Sequence, residues 1–170
     1  MIIVILNGFP GSGKDEFINV AGEEYKCHHH STIEACKDIC WNLYWDGEKD
    51  DKSRRMLSEL KKWYIEYFDG VFKDFVADVK WAGNVNRPDF FFVVSREGEE
   101  INRIKEWCKE NDHKCVYVFM DRGTERNFGN ESDDNVLENA TPNIYFGNNG
   151  DIDKLREDCL NVLNGIISDV

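Results

Sequence analysis

The chain opens on a short apolar run, MIIVIL, that leads directly into Gly8-Phe9-Pro10-Gly11-Ser12-Gly13-Lys14, and this junction constrains the fold more than anything that follows. A continuous apolar run of that length has the pattern of a strand buried on both faces, as in a parallel sheet covered by helices. GFPGSGK satisfies G-x-x-x-x-G-K and lies where such a loop works, after a buried strand and before a helix. Its glycines let the backbone curl so that N–H groups point inward, the helix N-terminus adds positive potential, and Lys14 can reach the β- and γ-phosphates of a bound polyphosphate. The bland alternative is a glycine-rich turn that merely joins strand to helix, and the agreement of pattern with position argues against it. Gly8, Phe9, Pro10, Gly11, Ser12, Gly13, Lys14, Asp15 and Glu16 therefore form the expected nucleotide-contacting stretch. Asp15 stands where Ser or Thr is usual. A hydroxyl there would ligate Mg²⁺, and the carboxylate either takes the metal, holds it through water or serves another purpose.

Strand and helix patterns alternate through the rest of the chain. A second strand is expected near Tyr25 to His29, with Ser31 or Thr32 capping a helix that carries Ile33, Cys36, Cys40 and Leu43 on one face. After the Asp46-Gly47 turn, a charged helix from about Asp50 to Phe68 puts Met56, Leu57, Leu60, Trp63, Tyr64 and Tyr67 on its apolar side. Another helix carries Phe72, Phe75, Val76 and Val79. Strands return at Phe90 to Val94 and Cys115 to Met120, around a helix bearing Ile101, Ile104 and Trp107. Asn143 to Phe146 is the last strand, before an amphipathic helix with Ile152, Leu155, Cys159, Val162, Leu163 and Ile166. The alternation favours a parallel sheet covered on both faces, in one domain of 170 residues. Within it, 31–82 reads as a large helical insertion between two strands and 121–140 as a polar stretch.

Charge narrows the partners. With 21 basic against 33 acidic residues the net charge is −12, which excludes an extended nucleic-acid surface and confines any phosphate site to a local cluster. The opening apolar run is too short for a secretory leader, and no apolar stretch reaches the length of a membrane span. The six cysteines are scattered without a CxxC pair, as expected in a reducing compartment, so a cytoplasmic protein is expected. His28, His29 and His30 beside Cys27 have zinc-ligand chemistry, but neighbours on a strand point to opposite faces and do not converge on one ion.

GSGKD at Gly11 to Asp15 resembles the P-loop variant of bacteriophage-type deoxynucleoside monophosphate kinases and of some phosphomevalonate kinases. Ser95-Arg96 followed by Glu100 is similar to the strand-end arginine and downstream glutamate of those kinases, and Asn148-Asn149-Gly150 resembles their N-D-G turn. The resemblance implies a three-layer α/β/α P-loop fold with a five-stranded parallel sheet in the order 2-3-1-4-5, a helical acceptor-binding insertion and a lid. It implies ATP and Mg²⁺ as cofactors, the P-loop role for Gly8, Gly11, Gly13 and Lys14, a catalytic role for Arg96, and a nucleotide contact at Asn149. The family's lid and acceptor arginines have no unambiguous motif here.

Transfer to a phosphate acceptor needs no strong base, so catalysis falls to alignment and charge neutralisation. Arg122 and Arg126 suit a lid closing cations over the phosphates, against the alternative of a solvated loop. Lys52, Arg54, Arg55, Lys61 and Lys62 make the densest basic cluster; Arg54 or Arg55, with Ser31, is the expected acceptor-phosphate ligand, against simple i,i+4 pairing with nearby acids. Trp41, Tyr44, Trp45, Trp63 and Tyr64 could stack on a base, but their helical spacing favours packing. For Mg²⁺, Asp15 stands beside Asp121, Asp133 and Asp134 as alternatives. The expected activity is transfer of the γ-phosphoryl of ATP to a nucleoside or deoxynucleoside monophosphate. The alternatives are a kinase of a phosphorylated non-nucleotide metabolite, and a nucleotide-binding module without turnover. No nucleic-acid or membrane partner is expected, and a homodimer is compatible with the sequence.

Overall fold

The computed structural model describes residues 1–48, 50–123 and 140–168. Five parallel strands, β1 (Ile2–Gly8), β2 (Cys27–Ser31), β3 (Phe90–Val94), β4 (Cys115–Asp121) and β5 (Ile144–Gly147), form one sheet in the order β2-β3-β1-β4-β5. Among the described residues the helices are α1 (Lys14–Glu24), α2 (Glu34–Asn42), α3 (Asp51–Phe68), α4 (Gly70–Trp81), α5 (Gly98–Glu110) and α6 (Ile152–Ser168), with a π-helical turn Ala82–Asn86 extending α4.

The central strand explains the layering. Residues 3 to 8 of β1 are all buried, because β1 is flanked by β3 and β4 and covered on both faces. Strand residues alternate sides, so the odd members Ile3 and Ile5 join Phe91, Val93, Tyr117 and Phe119 under Phe75 and Val79 of α4 and Ile101, Ile104 and Cys108 of α5. The even members Val4 and Leu6 join Phe90, Phe92, Val118 and Met120 under Phe17, Val20 and Ala21 of α1 and Leu155, Cys159 and Leu163 of α6. Phe17 sits edge-on to Phe92 and Phe146, at 6.2 and 5.2 Å between ring centroids, and ties α1 across the sheet. Cys36, Cys40, Cys108 and Cys159 are buried free thiols.

Two local expectations are corrected. Neither Ser31 nor Thr32 caps α2: β2 runs on to Ser31, Ile33 holds the cap position without a side-chain bond, and the Thr32 hydroxyl donates instead to the Val94 carbonyl at 3.2 Å. On α3 the apolar residues do not all face inward. Met56, Trp63 and Tyr67 are exposed while Ser53 and Lys61 are buried, because Lys61 meets carboxylates at the sheet edge and Trp45 donates its indole N–H to the Ser53 hydroxyl at 3.1 Å.

The histidine run is divided between the faces as the strand period requires. His28 Nε2 and His30 Nδ1 each lie 2.9 Å from one oxygen of Asp78 on α4, and His29 points to the opposite side. The pair therefore clamps α4 to β2. Among the described residues no group of three or more metal-ligating side chains is assembled, here or elsewhere. None of the described helices is long and apolar enough to cross a membrane.

Candidate active site

All five strands are parallel, so their carboxyl ends share one edge, which is where open α/β sheets bind ligands. At that edge lie the P-loop after β1, Ser31 and Thr32 after β2, Ser95 and Arg96 after β3, Arg122 after β4, and Asn148 and Asn149 after β5.

The loop between β1 and α1 is shaped by its glycines and held from behind. Gly13 takes φ +97° at the N-cap of α1, and a β-carbon there would lie 2.5 Å from Asn148 Nδ2. Gly8 takes φ +147°, and a β-carbon would lie 2.3 Å from the Met120 carbonyl. Asn148 is buried; its backbone N–H donates to the Asp121 carbonyl at 2.7 Å and its side-chain amide to the Ser12 carbonyl at 2.9 Å. The β5–α6 turn thus braces the loop through Ser12. Lys14 is buried, and its ammonium donates to the carbonyls of Gly8 at 2.7 Å and Phe9 at 2.9 Å and to the Ser12 hydroxyl at 3.2 Å. The first N–H groups of α1 have no intrahelical acceptor, so they and this ammonium together present positive potential to an anion.

Beside the loop is a cavity of about 190 Å³ lined by Gly13, Glu16, Arg122, Asn148, Asp151 and Leu155. Arg122 and Glu16 line it beside Gly13 of the P-loop, with Asn148 rather than its neighbour Asn149 on the wall. A larger cavity, about 400 Å³, lies on the outer surface along α4 and α5, with no residue from the strand ends in its lining.

For Mg²⁺ the donor set is spare. Asp15 is exposed on the first turn of α1, and Asp121 ends β4 with its carboxylate accepting the Gly123 N–H at 3.0 Å. One or two carboxylates, with substrate phosphates and water completing the shell, is how Mg²⁺ is ordinarily held, so these residues fit the ion. Arg126, Asp133 and Asp134 lie outside the described residues, as does most of the lid-like segment.

No family model and no curated protein matches this chain. Among solved structures, the protein APE1195 aligns over 98% of this chain and 95% of its own, at 12% identity and a TM-score of 0.51. The chain shares its fold with that protein, an α/β fold around a five-stranded parallel sheet in the order β2-β3-β1-β4-β5. Two structures of the Mycobacterium tuberculosis APS kinase, a cysteine-to-alanine mutant and a complex with AMPPNP and APS, align at 14% and 11% identity, over 96% of this chain and 96% and 97% of theirs, with TM-scores of 0.49 and 0.47. At such identities the likeness is one of fold, and the chemistry must be read from this chain's own edge.

On the β2–β3 side of the P-loop the edge holds a buried polar cluster. Lys61 of α3 points its ammonium at Glu97 Oε2, 2.7 Å away, Glu100 Oε2 at 3.4 Å and the Thr32 hydroxyl at 3.2 Å. Ser95, whose N–H donates to the Leu6 carbonyl of β1 at 3.2 Å, gives its hydroxyl hydrogen to Glu100 Oε2 at 2.5 Å. Burial, opposed by Lys61 and helped by the neighbouring Glu97, pushes the Glu100 carboxyl up to about 7. Glu97 is also lifted by burial, but Lys61 outweighs that and holds it below the ordinary glutamate range. Burial opposes the charge on Lys61, and the two carboxylates overcome it and raise its pKa.

Of the expected acceptor ligands, Ser31 ends β2 at this edge, while Arg54 and Arg55 lie exposed on α3. Arg54 is seven residues before Lys61, about 10.5 Å along the same helical face. The cluster at Lys61 was missed as a unit. Its signal is that Lys61 falls in line with Leu57 and Tyr64, a lysine inside an otherwise inward-facing stripe.

Proposed function

We propose that this protein is an ATP-dependent kinase that transfers the γ-phosphoryl group to a nucleoside or deoxynucleoside monophosphate. The observation that carries the reading is the Lys14 ammonium, buried within 3 Å of two carbonyls of a glycine loop that Asn148 braces at the head of α1. A loop of this construction binds a polyphosphate through backbone N–H groups and one mobile cation. In the proposed complex Gly8 to Glu16 embrace the phosphates of ATP, Lys14 leaves its internal carbonyls for the β- and γ-oxygens, and Asp15 or Asp121 would hold Mg²⁺. When bound, the ion neutralises charge on the transferring phosphoryl group. Arg96, half-buried immediately past β3, steadies the acceptor end of the transfer, and Arg122 at the cavity wall closes over the nucleotide. The acceptor enters on the β2–β3 side, under 31–82, where Ser31, Arg54 and Arg55 line its approach.

A second reading keeps the transfer and changes the acceptor to a phosphorylated non-nucleotide metabolite. The groups around Lys61 favour it: Thr32, Glu97 and Glu100, with Ser95 behind, form a shell of hydroxyls and carboxylates suited to a small polar molecule. A coupled ADP-release assay with ATP and Mg²⁺ against ribo- and deoxyribonucleoside monophosphates, with phosphomevalonate and dephospho-coenzyme A included, separates the two. Release with a nucleotide acceptor supports the first and release with only a non-nucleotide the second. ATP binding without release against any acceptor overturns both in favour of a non-catalytic module.

A further inference from the structure

We propose that Lys61 is the ligand for the acceptor's phosphate, and that Glu97 occupies that phosphate's place until the acceptor displaces it. The inference rests on the kinase reading and names the group at its acceptor end.

The arrangement around Lys61 is one of unequal attachments. One buried ammonium faces two carboxyl groups, of which Glu97 is the one held ionised, so the charge of Lys61 is already matched and an incoming phosphate must compete with Glu97 for it. The two glutamates differ in freedom to leave. Glu100 lies within α5, its side chain 11% exposed, with the Ser95 hydroxyl donating to it. Glu97 is the N-cap of α5, makes no side-chain capping bond, and is 41% exposed, so it can turn to water without opening the core. A carboxylate paired with a lysine at 2.7 Å is the nearest internal likeness of a phosphate oxygen on that lysine.

Position supports the exchange. Lys61 touches Thr32, just beyond β2, and the cluster reaches Ser95, which bonds to β1 two residues before the P-loop begins to turn. A phosphate at Lys61 would therefore lie at the same edge as the nucleotide. Glu97 is also the residue at the N-terminus of α5, a helix of 13 residues whose first N–H groups favour an anion and are not capped by its side chain. Burial explains the choice of lysine: a mobile point charge can pass from one oxygen partner to another, and the hydroxyls of Thr32 and Ser95 keep the site polar while it does so.

The test uses the full chain with its P-loop filled by AMPPNP and inorganic phosphate as the probe, with binding followed by calorimetry. Failure of AMPPNP to bind would count against the kinase reading and the exchange together. With AMPPNP bound, Glu97→Gln is expected to bind phosphate roughly five- to tenfold tighter than the parent, because the internal competitor is gone while the shape is kept. Lys61→Met in the Glu97→Gln background is expected to lose that gain. Since Glu97 is half in water, Glu97→Gln should fold, and a melting curve checks it. Phosphate affinity unchanged or weakened in Glu97→Gln, or a double variant that binds as tightly as Glu97→Gln alone, would overturn the exchange and leave Lys61–Glu97 as a structural pair.

Discussion

Replacing Gly13 by alanine should weaken the protein by an amount that can be assembled from two separate contributions. The residue sits at φ +97°, where an L side chain adds about 1–2 kcal/mol of backbone strain. Its β-carbon would meet Asn148 Nδ2 at 2.5 Å, a contact that cannot persist, and Asn148 can retreat only by releasing the 2.9 Å bond to the Ser12 carbonyl. Leaving that buried acceptor unpaired costs about 1–2 kcal/mol more. The sum, about 2–4 kcal/mol, corresponds to a fall in Tm of about 4–16 °C for a chain of this size. Gly11→Ala is the matched control: φ is +75°, nothing lies within 4 Å of the new carbon, and only the strain contribution applies. Gly22→Ala should go the other way by about 0.5–1 kcal/mol, since it sits in α1 with open space around it. Thermal melts of the three variants, with Asn148→Ala added to Gly13→Ala, read the contributions separately. Equal losses at Gly13 and Gly11, with no relief from Asn148→Ala, would refute the idea that Asn148 presses on the loop.

Arg96→Ala is expected to lower kcat by about 10- to 1000-fold while shifting ATP affinity little, as steady-state kinetics with an ATP titration would show; a variant that only melts earlier would make Arg96 structural. Asp78→Ala removes the shared acceptor of His28 and His30 and should destabilise by about 2–4 kcal/mol in urea unfolding, with a loss below 0.5 kcal/mol contradicting the clamp between α4 and β2. Burial raises the Glu100 carboxyl from its ordinary 4.5 to about 7, so folding favours its protonated form; the stability it contributes is present at low pH and is lost as pH rises from 4.5 through 7. Glu100→Gln, neutral throughout, should therefore gain stability relative to the parent across that range, and a difference independent of pH would contradict the shift.

Most of the sheet was legible because β1, β3, β4 and β5 are short apolar runs with no other satisfactory home, whereas β2 is a histidine run. Phe90 to Val94 matches β3 residue for residue, and the order 2-3-1-4-5, implied by resemblance, is the order formed. The P-loop could be read because its glycines fall at the positions whose dihedrals need them. What the sequence concealed depends on tertiary partners. Thr32 looks like a helix cap until Val94 offers its carbonyl, and the Lys61 ammonium looks solvated until Glu97 and Glu100 arrive from a segment 36 and 39 residues away. Sorting α3 by polarity puts Trp63 on the apolar side and groups Lys61 with the exposed basic residues, because it cannot see a carboxylate waiting at the sheet edge. Asn148 was hidden differently: within Asn148-Asn149-Gly150 either asparagine could face the loop, and only the pairing of β5 with β4 decides that Asn148 does.

The measurement that bears most directly on the whole account is transfer of labelled γ-phosphoryl from ATP to an added monophosphate, run in parallel on the parent chain and on Lys14→Ala with its fold checked by circular dichroism. The account predicts label on the acceptor in the parent and its loss, by at least about 100-fold, in the variant. Equal transfer by Lys14→Ala, or no transfer by the parent to any monophosphate in the presence of Mg²⁺, would contradict it.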